Sequence, residues 1–421
     1  MKQIKLFTLT MIALLSMATG SSCSSNDTPD ENSNGGTETP DYTLTGSITS
    51  DKILEKDQTY ILSGDYTVKS GATLKIPAGV TIVAKNDAAI DYIMVEKGGK
   101  IEAIGTATDP IIMTAEVQNP GAWGGLHICG DAQINITGGS ATSEIGDSPY
   151  GGSNDADNSG ILKYVIIKYA GQKLDEEHEA NGFSFYGVGN GTTVDYVAAI
   201  SGNDDGYEFF GGDVNLKHAL SINNSDDSFD WTEGWRGKAQ FLVAYQESPE
   251  TLNYDCDRLM ECDNYSKGIT NIPVAHPIIA NVTFVGNNSA DKSSGITFRA
   301  GTQISLYNAI VTGKENIINV ETEPTRTALK DGTSILNNIF ANGNFVEKIE
   351  EGKTAIYTEA LFLATENNNT LTAALALTDN GSGKFVGTES GGNDLSADSF
   401  FTSTDYSGAV KSTEDWTSFI K

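Results

Sequence analysis

The chain has 421 residues and a formal net charge of −29, and 45 of its residues are glycine. Acidity on that scale argues against nucleic acid and anionic membrane surfaces as partners, and suits cations, neutral glycans or basic proteins. Abundant Gly, Asn, Asp and Thr, with few long amphipathic helical patterns, point to an all-β protein with many turns.

Residues 1–22 read as a signal peptide. Lys2 and Lys5 give a basic start, and the apolar run from Leu6 to Ala18 is too short to span a bilayer. Gly20-Ser21-Ser22 then leads into Cys23 in an arrangement that resembles a lipobox, with Gly20 where the usual pattern has Leu. Cys23 is therefore the expected lipidation site and anchor to the membrane; plain secretion with cleavage nearby is the alternative. Residues 23–43 hold almost no apolar side chains and cannot offset the entropy of ordering them. They read as a flexible tether with a reach of roughly 25 Å. The expected place is the outer membrane, facing the cell exterior.

Residues 44–349 carry a repeat. NDDGYEFF at 203–210 returns as SDDSFDWT at 225–232, an offset of 22 residues, and YVAAISG from Tyr196 returns as HALSINN from His218 at the same offset. NGFSFY from Asn181, preceded by YVIIKYAG from Tyr164, is a third copy stretched by an insertion. A unit this short cannot close a core alone, so it is one coil of a solenoid that buries its apolar side by stacking. The same grammar runs from ATLKIPAGVTIVA at Ala72 to NVTFVGN at Asn281, NAIVTGK at Asn308 and NIFANGN at Asn338. The expected fold is all-β, a right-handed parallel β-helix, with its recurrent Asn residues bonding one coil to the next. An antiparallel sandwich competes, but sandwiches do not repeat turn residues at a near-constant period.

The repeat stacks acids. Asp204, Asp205 and Glu208 recur one coil on as Asp226, Asp227 and Asp230, about 4.8 Å away. Like charges that close repel and raise each other's pKa. A hard cation, Ca²⁺, with its six to eight oxygen ligands, is one resolution. Bonds to turn amides, splaying into water, or pairing with Arg236 and Lys238 are the others. Asn203 and Asn224 are further candidate ligands.

Alternation along the strands puts Tyr207, Phe209, Phe229 and Trp231 on one face, which as a core stack points inward. If it points outward, Tyr207 belongs to a sugar-binding platform. Trp235, in the turn-like EGWRGK, is the best exposed contact, with Arg236 and Lys238 beside it as ligand-binding residues. Trp123 in GAWGG suits packing. Cys256 and Cys262, in DCDRLMEC, read as a local disulfide, leaving Cys129 single and buried. Residues 350–421 change character and read as a mixed C-terminal cap over the open end, with a helix over residues 354–366.

GAWGGLHICGDA from Gly121, SGILKYVIIKYAG from Ser159, DDGYEFFGG from Asp204, DDSFDWTEGWRGKAQF from Asp226, FTSTDYSGAV from Phe401 and DWTSF from Asp415 resemble a family of Bacteroidota surface lipoproteins with a parallel β-helix. The resemblance covers most of residues 70–421. It implies an accessory lipoprotein beside an outer-membrane nutrient-uptake system. The segment DNYSKGITNIPVAHP after Cys262 departs from the family's basic, Gly-rich form.

Three functions compete. A rigid solenoid with an acidic, aromatic-flanked patch suits non-catalytic capture of a glycan or other nutrient for an outer-membrane transporter. A Ca²⁺-dependent, polysaccharide-lyase-like enzyme would use Asp227 and Asp230 as ligands and Arg236, Lys238 or Lys217 as base. A structural or adhesin-type partner protein needs neither. No HExxH or HxH motif is present among the four histidines.

Overall fold

The computed structural model describes residues 42–87, 89–173 and 179–421. The expected signal peptide, Cys23 and nearly all of the tether fall on residues 1–41, outside the described residues. From Thr43 onward, short strands follow one another around a right-handed parallel β-helix, and among the described residues 23 of them join one parallel sheet.

The register follows the repeat. Tyr207–Phe210 pairs in parallel with Phe229–Thr232, Tyr207 opposite Phe229 and Glu208 opposite Asp230. Asn215–Ile222 pairs with Thr193–Ile200 before it and Lys238–Tyr245 after it. Alternation sends every second side chain inward, and rings stack coil upon coil. Phe183, Tyr207 and Phe229 form one column with centroids 5.0 and 5.1 Å apart, extended by Phe284 at 5.7 Å. These offsets are favourable for aromatic pairs, so the interior reading of that face holds.

Each long strand turns a corner on one residue with positive φ: Tyr164, Tyr196, His218, Phe241, Asn281, Asn308 and Asn338. Asn accepts this conformation at small cost. The aromatic corners compensate by stacking, Tyr196 on Tyr164 at 4.5 Å and His218 on Tyr196 at 4.2 Å. The asparagine corners do not bond one another as expected. Asn281 Nδ2 donates to the Tyr406 carbonyl and Asn308 Nδ2 to the Asn393 carbonyl.

Those carbonyls belong to the expected cap, whose residues divide between two places. Tyr357 and Phe362 pack against the last coil, Phe362 stacked on Phe345 at 5.4 Å, and cover the end of the core. The helix expected over residues 354–366 is a single turn, Glu359–Phe362. The remainder runs back along the flank of the solenoid. Strands Lys384–Ser390 and Tyr406–Val410 bring Phe385, Val386, Ala409 and Val410 onto Ala198, Leu220 and Val243. Lys217 donates to the Phe400 carbonyl, Gln240 to that of Thr402, and Lys238 to Asp398.

Candidate metal centre

The outward faces of the short strands build the site. Ser184, Glu208, Asp230 and Glu261 are successive register partners on four neighbouring coils. The turns before these strands supply Asp204 and Asp205, then Asp226 and Asp227, then Asp257 and Arg258. The turns are locked together: Asp205 Oδ1 accepts the amide of Asp227 at 2.9 Å, and Asp227 Oδ1 that of Arg258 at 2.7 Å. Two segments outside the repeat complete the wall with Glu144 and Glu179. The result is a cavity of about 190 Å³ lined by Glu144, Glu179, Asp204, Asp205, Glu208, Asp226 and Asp230, all of them carboxylates.

Oxygens of Glu179, Asp204 and Asp226 lie within 4.8 Å of one another, and so do those of Asp205, Glu208 and Asp230. Burial pushes the Asp204 carboxyl up to about 9, with help from Glu179 and Asp226. Burial and then neighbouring acids hold Asp205 and Glu208 well above the carboxylate range. The charges acting most on these three are all negative. Asp230 is raised in the same way, and its Oδ1 is buried with no hydrogen-bond partner.

Positive charge meets the cluster at its edges, and Lys173 Nζ pairs with Glu179 at 2.6 Å. Arg258 Nη1 reaches Glu261 at 2.6 Å and Asp227 at 3.5 Å, Lys292 Nζ meets Asp257 at 2.7 Å, and Arg299 Nε meets Asp263 at 2.7 Å. Arg299 also pairs with Glu261. Burial opposes the charge on both guanidiniums, but the acid partners outweigh it and raise both pKa values. An all-oxygen donor set of this kind fits a hard divalent cation such as Ca²⁺.

The structure places five of the six acids expected as metal ligands, Asp204, Asp205, Glu208, Asp226 and Asp230, on the cavity, while Asp227 stands behind them with its oxygens on Arg258. Asn224 instead bonds Gly202 N, Ser221 and the Ala199 carbonyl. The expected ligand-contact residues stand elsewhere. Tyr207 is fully buried with its hydroxyl on the Leu220 carbonyl at 2.9 Å. Trp235 is 1 % exposed: its ring folds in over Phe209 at 4.2 Å and its Nε1 donates to the Val214 carbonyl. Arg236 bonds Gly234 O and Asp155, and Lys238 pairs with Asp398, so neither neutralises the acids. The expected disulfide is absent: Cys256 and Cys262 are separate buried thiols. Cys262 occupies the core position of Trp231 one coil on, whereas Cys256 lies in the turn ahead of the strand.

Sequence reasoning missed Glu144, Glu179, Glu261 and the cations Lys173, Arg258, Lys292 and Arg299. One signal was available. CDRLMEC at 256–262 is a further copy of SDDSFDW at 225–231, offset by 31 residues, with Arg258 in place of the second aspartate.

A larger cleft of about 690 Å³ lies between the corner column and the returning C-terminal segment. Tyr196, His218, Phe241 and Trp416 give it aromatic walls, and Lys411 and Glu414 add charge. No comparable concentration of like charge occurs there.

Residues 46–391 match the family model for a pectate-lyase-like β-helix domain. No curated protein and no solved structure matches the chain.

Proposed function

The chain belongs to the pectate-lyase-like β-helix family, and we propose that it is a carbohydrate-binding surface lipoprotein whose acidic cavity holds a divalent cation, most readily Ca²⁺. The observation that carries this is the cavity lined by seven carboxylates, whose Asp204, Asp205 and Glu208 feel mainly other negative charges. Asp204, Asp205, Glu208, Asp226 and Asp230 would hold the ion, with Glu144 and Glu179 beside them. The bound ion would offset the mutual repulsion and offer coordination to glycan oxygens. Binding rather than turnover is favoured because an eliminating base must be able to give up its proton. Arg258 and Arg299, the guanidiniums beside the acids, have their pKa values raised by acid partners. Lys217 and Lys238 are engaged by the C-terminal segment. The expected anchor at Cys23 would display the domain at the outer membrane, where it would serve glycan capture for a transporter.

Calorimetric titration of Ca²⁺ into the chelator-treated protein tests the reading, with Glu208→Gln/Asp230→Asn as control. Polygalacturonate is then offered with and without Ca²⁺. Heat that the double variant loses, and Ca²⁺-dependent retention on the polymer without new ultraviolet absorbance, are the expected results. Product absorbance would make the protein a lyase. Absence of Ca²⁺ heat would remove the cation and leave a structural acidic turn.

A further inference from the structure

The cleft on the flank shares no lining residue with the acidic cavity. Its origin lies in the corner column. Tyr196, His218 and Phe241 stack at 4.2 and 4.9 Å, and the column then stops, because the corner one coil on is Asn281. Asn281 bonds the Tyr406 carbonyl instead. The chain runs on through Val410 and reverses between Lys411 and Glu414. It returns so that Phe419 meets Tyr164 and Tyr196 edge-on, at 5.6 and 6.3 Å. The C-terminal segment is thus pinned to the column at both ends of a hollow of about 690 Å³. Small-molecule sites span roughly 300–1,000 Å³.

The walls differ in what they leave free. The column rings lie face to face on one another. Trp416 does not: it meets Tyr196 and His218 at 76° and 65°, so no ring is stacked on it. Its Nε1 donates to the Ala409 carbonyl at 2.9 Å, which fixes the ring, and the side chain is half-buried. A fixed, partly open indole is a surface on which the C–H face of a pyranose ring can lie.

Polar groups stand round it. Asp195 meets His218 Nδ1 at 2.8 Å. A carboxylate accepts, so Nδ1 carries the proton and Nε2 is left for a ligand. Lys411 Nζ lies 4.2 Å from the Tyr406 ring centre and, among the described residues, pairs with no acid. Glu414 is exposed, and its carboxylate has no hydrogen bond or ion pair among the described residues. Asp415, the remaining charge on the lining, is taken by Lys421 and by the Thr417 amide. The free charges, one of each sign, therefore balance. Balanced charge selects neither an acidic nor a basic ligand. A sugar hydroxyl, which both donates and accepts, matches an ammonium, a carboxylate and an imidazole together.

We propose that this cleft is a second carbohydrate subsite, taking hexose units of a neutral polysaccharide. Trp416 is the stacking platform, and His218, Lys411 and Glu414 bond the hydroxyls. The subsite needs no metal ion and does not rest on the cation reading of the acidic cavity.

Electrophoresis of the full chain through native gels cast with galactomannan, xyloglucan, mixed-linkage β-glucan or dextran tests this, with chelator present throughout. Retardation by at least one of these glycans is expected, and replacing the chelator with Ca²⁺ should not change it. Lys411→Met and Glu414→Gln lie on a turn at the rim and should keep the wild-type melting temperature. Each should weaken binding at least about tenfold, the size of one hydrogen bond to a charged group. Trp123, Trp231 and Trp235 are buried, so tryptophan fluorescence that changes with oligosaccharides of the retarding glycan reports Trp416. Trp416→Phe should remove that change. No retardation in any of these gels, or retardation that both turn variants retain in full, overturns the proposal. Retention on polygalacturonate with Ca²⁺ alone would uphold the acidic cavity and overturn the cleft.

Discussion

Glu208 and Asp230 are register partners on neighbouring coils, and both line the same cavity. Two carboxylates one strand spacing apart, shielded from water, cannot both stay ionised without cost. The pH dependence follows from the raised values. Asp204, at about 9, holds a proton in the folded chain over a range where the unfolded chain, near 4, has lost it. The stability this gives is full below about pH 4 and is lost as pH rises towards about 9. Asp205, Glu208 and Asp230 act in the same direction. Chelated protein is therefore expected to melt lower at pH 8 than at pH 5, with Ca²⁺ closing the gap. Melting that is flat or rises with pH would contradict the assignment.

Glu208→Gln should separate stability from binding. The charges acting most on Glu208 are Glu144, Asp230 and Asp204, and Asn181 donates to it at 2.7 Å. Neutralising it should stabilise the chelated protein by about 1–3 kcal/mol, the scale of a poorly satisfied buried polar group. Ca²⁺ affinity should fall at the same time. Urea unfolding in chelator, with calorimetry alongside, reads both.

Trp235→Ala is expected to behave as a core substitution. The ring fills space above Phe209 and beside Trp231, so truncation should cost about 3–5 kcal/mol. Polygalacturonate retention by the protein that remains folded should be unchanged. A variant of normal stability that no longer binds would return Trp235 to the ligand.

Free thiols can be counted. Cys129, Cys256 and Cys262 are all buried and unpaired. An alkylating reagent should leave the native protein unlabelled at these positions and label all three after denaturation without reductant. Labelling of Cys129 alone would reinstate the disulfide.

Asn281 ties the C-terminal segment to the solenoid. It donates to the Tyr406 carbonyl at 2.8 Å and accepts from Gln240 and Thr404. Asn281→Ala leaves these buried groups unmatched, an expected loss of about 2–3 kcal/mol. Limited proteolysis should then cut first between residues 390 and 406.

The solenoid was legible because its period is written in repeated turn residues, and the six central acids were legible because they fall on that period. Glu144 and Glu179 were not, because they come from insertions that obey no period. Arg258 and Glu261 sit on the repeat, but an offset of 31 rather than 22 residues hides the match between CDRLMEC and SDDSFDW. Trp235 misled for a different reason. A glycine-flanked turn looks exposed, yet Gly234 with φ +82° folds the ring back over the core. Local composition cannot reveal such a return.

The returning C-terminal segment has a mechanical consequence. Stacked units that touch only their neighbours can loosen one at a time. Here Lys217, Lys238, Gln240, Asn281 and Asn308, drawn from four successive long strands, are fastened to one length of chain. The first two of those strands lead into the turns that carry Asp226 and Asp257. Repulsion among the acids acts as a wedge between coils, and the segment on the flank acts as a splint against it. The charge that prepares the cavity for an ion is thereby kept from prying the coils apart.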